Sequence, residues 1–260
     1  GAFWLIYDAK SKKYTMLDAR ETAPLQSHKN MYLDENANVI KNMSTLGPLS
    51  AGIPGVPAVL SYVNDKYGSK KLSTLLDPAY EAAINGFPVN ERYLKGAKYK
   101  KKWLKKYKET EAIFLHNGEV PKKGWILKQT DLARTIKKLM KDGHRSFYTG
   151  GFAKRMVESV QNNGGIWSEG DLNRYKVLER EPVRSSYKGI SIIAPGLPSS
   201  GGLVLSNALN ILAGYELDKL SPTTQKHLII ESLRRAYYER ALKMGDPDFM
   251  DNTLEFLLTP

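Results

Sequence analysis

The segment Leu17-Asp18-Ala19-Arg20-Glu21-Thr22-Ala23-Pro24 decides the fold of this chain, because it predicts where a strand ends and how the chain leaves it. Upstream, the aromatic and branched run Phe3 to Tyr7 predicts a first strand, and residues 8–13 are typical of a turn. Tyr14 to Arg20 is then the returning strand of a hairpin. Pro24 disfavours the helical conformation for the residue before it, so we expect an extended exit from the strand.

Arg20 is the side chain of chemical interest at this strand end. Side chains alternate along a strand, so Arg20 shares a face with Tyr14, Met16 and Asp18. A guanidinium held on a rigid element suits the recognition of a carboxylate by two parallel hydrogen bonds. The simpler interpretation is an ion pair with Asp18 or Glu21. Spacing alone favours the ion pair, because exposed ion pairs are common and contribute little to stability.

The same segment resembles the part of gamma-glutamyltranspeptidases whose arginine binds the alpha-carboxylate of the glutamyl substrate. Four further segments are similar to the large subunit of that family and follow in the family order. They are Ala51-Gly52-Ile53-Pro54-Gly55-Val56, Gln129-Thr130-Asp131-Leu132-Ala133, Pro198-Ser199-Ser200-Gly201-Gly202 and Gly245-Asp246-Pro247-Asp248-Phe249. The sequence departs from the family pattern at Ala19, where many members carry an aromatic residue, and at Gly196-Leu197, which replaces a common proline pair.

The resemblance implies an α/β (α+β) fold, the αββα sandwich of N-terminal nucleophile hydrolases. Residues 1–260 are then expected to form a single domain, most of a large subunit truncated at both ends. In the family, a precursor cleaves itself so that a threonine begins a small subunit and uses its own alpha-amine as base. The oxyanion donors also lie on that small subunit.

These family properties determine which site residues and partners we expect. The substrate-binding residue of this chain is Arg20, and no catalytic residue is expected in it. A small subunit from the same precursor is the expected partner, so this fragment alone is expected to be inactive. The resemblance also implies a periplasmic or secreted location.

The loop Ser199-Ser200-Gly201-Gly202 precedes the apolar helix predicted from Leu203 to Leu212. Small hydroxyl residues and glycines before a helix expose backbone N–H groups that can bind an anion, which makes this loop a candidate part of the substrate pocket. The alternative is structural: Ser199 or Ser200 caps the helix, and the glycines allow close packing. The sequence leaves both interpretations open.

Composition narrows the chemistry further. The chain has 260 residues, of which 42% are hydrophobic, enough for a substantial core. It has no cysteine, which excludes disulfides, thiolate metal sites and a cysteine nucleophile within it. The four histidines show no metal-ligand spacing, and no phosphate-loop, dinucleotide or Gly-x-Ser-x-Gly motif occurs. We therefore predict no metal, no cofactor and no membrane span.

The net charge of +12 is concentrated in one segment. Residues 95–108 contain eight lysines, interleaved with Tyr99, Trp103, Leu104 and Tyr107. Such a segment is typical of a surface that binds polyanions or membranes. The favoured interpretation is a solvated helix face, with Trp103, Leu104 and Tyr107 directed to the core. No nucleic-acid-binding signature accompanies the lysines.

Start and stop signals predict most helices. Pro57 to Tyr67 is one helix, Asp77-Pro78 begins the next, and Thr130 or Asp131 caps another. Ser168 and Asp171 have the spacing of a capping box. A long helix begins at Ser221-Pro222. Its expected buried stripe consists of Leu228, Ile229, Leu233, Ala236, Tyr237 and Met244.

Three hypotheses for function follow. The leading one is gamma-glutamyl transfer or hydrolysis from glutathione-like donors through a threonine acyl-enzyme, with Arg20 as the carboxylate clamp. A second keeps the fold but changes the substrate, as in the similar cephalosporin acylases and capsule depolymerases. A third is a non-catalytic basic module that binds polyanions or membrane surfaces. Thr259 is rejected as the nucleophile, because an internal residue has no free amine.

Overall fold

The computed structural model describes residues 1–250, and Thr259 lies outside these described residues. The chain forms two compact units. Among the described residues, one unit contains residues 1–20 and 176–250, and the other contains residues 21–175. The single domain expected from the sequence stays a prediction.

The first unit contains the predicted hairpin as part of a three-stranded antiparallel sheet. The strands are β1 (Ala2–Asp8), β2 (Lys13–Ala19) and β5 (Leu178–Arg180), in the order β1-β2-β5. The register pairs Ala2 with Ala19 and Asp8 with Lys13. β2 is the middle strand, and its last four residues, 16–19, are all buried. Both faces are therefore covered where the strand ends.

A second hairpin and two helices complete this unit. The hairpin joins β6 (Val183–Tyr187) to β7 (Ile190–Ala194), and the helices are α9 (Gly201–Ala213) and α10 (Pro222–Lys243). Residues Leu217–Lys219 form a 3-10 turn between the helices. Val204 and Ala208 of α9 pack with Ala236 of α10, so small side chains bring the two helices together.

The stripe predicted for α10 is partly wrong. Ala236 is fully buried, but Ile229, Leu233 and Tyr237 are 41%, 40% and 57% exposed. The other fully buried position is Ser232, whose hydroxyl donates to the carbonyl of Ile229 at 2.9 Å. A hydroxyl that bonds its own helix can be buried without a tertiary partner, which the apolar pattern does not indicate.

The second unit is mainly helical. Its helices are α1 (Val56–Tyr67), α2 (Leu72–Asn85), α3 (Glu91–Leu104), α4 (Lys108–Phe114), α5 (Thr130–Asp142), α6 (Arg145–Tyr148), α7 (Gly150–Asn162) and α8 (Glu169–Arg174). The short strands β3 (Phe87–Pro88) and β4 (Ile126–Leu127) pair with each other, and a 3-10 turn covers Pro48–Ser50.

Three boundary predictions for this unit need correction. α2 begins at Leu72, so Pro78 lies inside a helix rather than at a helix start. The N-cap of α5 is Gln129, without a side-chain bond, instead of Thr130 or Asp131. α3 ends at Leu104, so Tyr107 does not continue its stripe, although Trp103 and Leu104 are half-buried as expected. The capping box of Ser168 and Asp171 is confirmed.

The extended exit after Arg20 is confirmed in this unit. Thr22 forms an isolated antiparallel bridge with Ile53: its N–H donates at 3.3 Å and its carbonyl accepts at 2.8 Å. Tyr148 donates to the carbonyl of Pro54 at 2.6 Å, and Trp167 donates to that of Ala51 at 2.9 Å. The segment 51–56 is thus anchored at three points, and it fixes the chain that follows Arg20.

Candidate substrate-binding site

The site is built on the alternate residues of β2 that share a face with Arg20. The Met16 sulfur accepts the N–H of Gly196 at 3.2 Å, just before the loop at 198–202. Asp18 is 7% exposed, and its Oδ1 accepts the backbone N–H of Arg20 at 3.1 Å. The other oxygen, Oδ2, accepts Nε of Arg180 at 2.8 Å. Met16 and Arg20 of the predicted face therefore both contact the segment 196–198, whereas the Asp18 carboxylate binds Arg180 of β5.

The Arg20 side chain is exposed and extends to that loop. Its Nη1 donates to the carbonyl oxygen of Pro198 at 3.4 Å, across 178 residues of sequence. The Asp18 carboxylate is bound by Arg180 and by the Arg20 backbone N–H. The alternative of an ion pair of the Arg20 guanidinium with Asp18 or Glu21 stays a prediction. The structure thus brings Arg20 and the predicted pocket loop together.

Arg180 is the residue that the sequence analysis missed. Its Nη1 and Nη2 donate to Oδ1 and Oδ2 of Asp248 at 3.0 and 2.9 Å, while its Nε binds Asp18. The hydrogen bond to Asp248 is the largest effect on the pKa of Arg180 and raises it; burial opposes this, and the hydrogen bond to Asp18 raises the pKa further. The hydrogen bond between Arg180 and Asp248 also lowers the pKa of Asp248. One guanidinium thus connects the strand end with the segment 245–249.

A signal for this arginine was present in the sequence. Asp18 lies between the apolar residues Leu17 and Ala19 of a predicted strand, and a carboxylate that is buried in such a strand needs a cation or several donors. Which cation binds it could not be read from spacing, because Arg180 lies 162 positions away from Asp18.

The contacts of the loop 198–202 differ from those expected for an anion-binding loop and for a helix cap. Ser200 precedes α9, but its side chain makes no capping bond; its Oγ accepts Nε of Arg240 at 2.8 Å instead. Capping by Ser200 is therefore wrong. The N–H of Ser199 donates to the carbonyl of Gly196 at 2.9 Å, which closes a turn. The Leu197–Pro198 peptide bond is cis.

The two glycines differ. A Cβ on Gly202 would lie 2.6 Å from the oxygen of Pro195 and 2.8 Å from the Cβ of Ala194, so only glycine lets α9 approach the end of β7 this closely. A Cβ on Gly201 would meet nothing nearer than 3.8 Å. Close packing is confirmed for Gly202 alone.

The arrangement concentrates positive charge. Two exposed guanidiniums, those of Arg20 and Arg240, both bond to the segment 198–200. A guanidinium carries five N–H donors in a planar fork that matches a carboxylate. The chemistry that this surface favours is binding of a small anion, with the backbone positioned by Asp18. Among residues 1–250, no group of three or more histidine and acidic side chains is arranged to hold a metal ion. Nor does any helix of that range have the length and apolar character needed to cross a bilayer.

Residues 1–260 match the protein family described as Gamma-glutamyltranspeptidase. A glutathione hydrolase proenzyme of Pseudomonas sp. (strain A14) is 39% identical over 261 residues, which cover 99% of this chain and 45% of that protein. The crystal structure of Helicobacter pylori gamma-glutamyltranspeptidase superposes with a TM-score of 0.95 at 36% identity, covering 99% of this chain and 74% of that one. The Bacillus anthracis transpeptidase CapD gives a TM-score of 0.76 at 30% identity, covering 100% of this chain and 79% of that one.

These similarities identify the class of protein to which the chain belongs. The fold is the α/β fold of N-terminal nucleophile hydrolases, as the sequence predicted. Within that class, the chain belongs to the gamma-glutamyltranspeptidase family, and it matches the large-subunit region. It spans about half the length of the curated relatives that it matches.

Proposed function

We propose that the protein containing this chain transfers or hydrolyses gamma-glutamyl groups from glutathione-like donors, with Arg20 binding the alpha-carboxylate of the donor. The observation that carries the proposal is the position of Arg20. It stands exposed at the end of a buried strand, with its backbone fixed by Asp18 and its guanidinium on the loop at 198–200.

The expected contribution of Arg20 is to binding and to orientation. A hydrogen bond to a charged group contributes about 1.5–3 kcal/mol. Fixing the alpha-carboxylate also restricts the position of the gamma-carbonyl, whose carbon lies four bonds away in the same molecule, so that a nucleophile can attack in a productive orientation. In the proposal that nucleophile is a threonine whose own alpha-amine acts as base, which makes the weakly nucleophilic hydroxyl reactive near neutral pH.

The nucleophile and the oxyanion donors are proposed to lie on a small subunit from the same precursor. The surface of the first unit supports such a partner. Large apolar side chains of α10 and α9 are exposed, which is unusual for a surface without a partner. They are Leu205, Ile229, Ile230, Leu233, Tyr237, Tyr238 and Leu242. We also propose a periplasmic or secreted location, which the family resemblance supports.

The test is the kinetics of Arg20→Ala and Arg20→Lys in the complete protein, with Arg235→Ala as the matched control, since Arg235 is an exposed arginine of α10. With a gamma-glutamyl anilide as donor, kcat/KM of Arg20→Ala should fall roughly 10- to 100-fold, which corresponds to the loss of one charged hydrogen bond. Arg20→Lys should keep part of the kcat/KM that Arg20→Ala loses, because lysine retains the positive charge but lacks the planar guanidinium.

A second donor separates binding of the carboxylate from general damage. A 4-aminobutyryl anilide has the same chain without the alpha-carboxylate, so Arg20→Ala should lose little further activity on it. An equal loss on both donors, or unchanged kcat/KM on the gamma-glutamyl donor, would remove Arg20 from the proposed role.

The acylase and depolymerase alternatives share the fold. A glutaryl anilide keeps the carboxylate but lacks the alpha-amine. Faster turnover of this compound than of the gamma-glutamyl anilide would favour an acylase instead.

A further inference from the structure

The lysine-rich segment lies largely on α3, and the structure shows which of its residues face solvent. Lys95, Lys98, Tyr99 and Lys102 follow one another at spacings of three and four along the helix, so they form one face. Ala97, the buried residue of α3, lies on the opposite side. All four are exposed, and we call them the basic ridge.

Within residues 1–250, most lysines of this segment have no carboxylate within 4.0 Å. Lys101 binds Glu119, and Lys105 lies 4.0 Å from Glu111. The three lysines of the basic ridge have no carboxylate within 4.0 Å among residues 1–250. Like charges at this spacing destabilise a helix. The arrangement therefore favours contact with an anionic surface over a purely structural role.

Tyr99 distinguishes between kinds of anionic surface. Its side chain is 81% exposed, and the ammonium of Lys100 lies 5.2 Å from the ring centroid. The sequence predicted a core-facing position only for Trp103, Leu104 and Tyr107. The exposed Tyr99 ring lies on the side of α3 opposite the buried Ala97. A ring with a polar tip, flanked by lysines, is typical of residues at the boundary between lipid head groups and acyl chains.

We propose that the basic ridge binds the surface of a membrane containing anionic phospholipids. The lysines would lie at the level of the lipid phosphates, and the Tyr99 ring would insert between head groups. The attraction is that of a polybasic surface for a negatively charged leaflet, which falls with the Debye length as salt increases. This proposal is independent of the gamma-glutamyl activity proposed above.

The experiment measures sedimentation of the complete protein with vesicles of phosphatidylcholine alone or mixed with phosphatidylglycerol. Wild type should bind only the mixed vesicles, and binding should weaken as salt rises to about 150 mM. Each lysine near such a surface contributes about fivefold to the partition coefficient, so Lys95→Gln, Lys98→Gln and Lys102→Gln together should reduce it roughly 100-fold.

The matched control changes the same charge elsewhere. Lys10, Lys12 and Lys13 are exposed at the hairpin turn of the first unit, and their combined change to Gln should leave binding nearly unchanged. Tyr99→Ser keeps every charge and should weaken vesicle binding by a smaller factor. The circular dichroism spectrum and the melting temperature of each variant, compared with wild type, show that the variants are folded.

Three results would overturn the proposal. The first is that wild type fails to sediment with mixed vesicles at low salt. The second is an equal loss in the control triple variant, which would mean that net charge alone matters. The third is retention on heparin that Tyr99→Ser leaves unchanged, without vesicle binding, because the ridge would then bind linear polyanions instead.

Discussion

Arg180 binds Asp248 through two parallel hydrogen bonds, with Nη1–Oδ1 and Nη2–Oδ2 distances of 3.0 and 2.9 Å. Through its Nε it also binds Asp18, at the end of the strand that carries Arg20. Arg180 thus joins two segments near opposite ends of the chain, 17–24 and 245–249, and belongs to neither. Both segments resemble gamma-glutamyltranspeptidases. The carboxylate that accepts the backbone N–H of Arg20 is therefore itself bound by Arg180, which Asp248 binds in turn.

The first prediction concerns the stability that this arrangement provides. Arg180→Ala leaves the buried carboxylate of Asp18 without its cation and should lower the free energy of unfolding by about 3 kcal/mol. Asp248→Asn should cost only about 1 kcal/mol, because half of that side chain is exposed and the pair is partly screened. Denaturant unfolding of the complete protein measures both. Equal effects of the two changes would contradict the ranking.

The second prediction is a pH dependence. Arg180 holds the pKa of Asp248 below its ordinary value of 3.8, so the folded protein binds the proton less readily than the unfolded chain does. A lowered pKa stabilises the fold fully above the unfolded value and loses this effect as pH falls through the folded value. Wild type should therefore exceed Asp248→Asn in melting temperature at pH 6, and the difference should shrink below about pH 4. A difference that stays constant down to the most acidic folded condition would contradict the linkage.

The parts of the fold that the sequence predicted are those set by neighbouring residues. The hairpin, the face shared by Met16, Asp18 and Arg20, and the capping box at Ser168 each depend on spacings of two or three residues. The Arg180 network was missed because its partners lie 162 and 68 positions away. A local sequence pattern cannot show which of many distant arginines and lysines will bind a buried carboxylate.

The prediction of the buried face of α10 was partly wrong for a different reason. Apolar periodicity predicts burial of the largest side chains, but α9 and α10 approach each other through Ala208 and Ala236. Large residues such as Tyr237 are then left exposed beside the contact. In the site, Arg20 and the loop could be predicted from the resemblance, whereas the bond from Arg240 to Ser200 required the fold.

The third prediction tests the anchor of the segment 51–56. Tyr148 is 4% exposed, donates to the carbonyl of Pro54 at 2.6 Å and stacks on Tyr175 with centroids 5.5 Å apart. Tyr148→Phe keeps the stack but leaves a carbonyl without its donor, so it should cost about 1–2 kcal/mol in unfolding free energy. Burial raises the pKa of Tyr148, so wild type should show no loss of this bond up to about pH 10, where an ordinary tyrosine ionises. Tyr99→Phe at an exposed position is the control and should be neutral.

The fourth prediction compares the adjacent glycines of the loop. Gly202→Ala places a methyl group 2.6 Å from the oxygen of Pro195 and 2.8 Å from the Cβ of Ala194, and both neighbours belong to the chain at the end of β7. Because the closest atom is backbone, the helix must shift, at a cost of about 1–3 kcal/mol. Gly201→Ala, with 3.8 Å of clearance and a helical position, should be neutral or slightly stabilising.

A shift of α9 also moves Ser200 relative to Arg240 and Pro198 relative to Arg20. Gly202→Ala should therefore raise KM for the gamma-glutamyl anilide, whereas Gly201→Ala should not. If both substitutions changed KM alike, the loop chemistry rather than the packing of Gly202 would position the site.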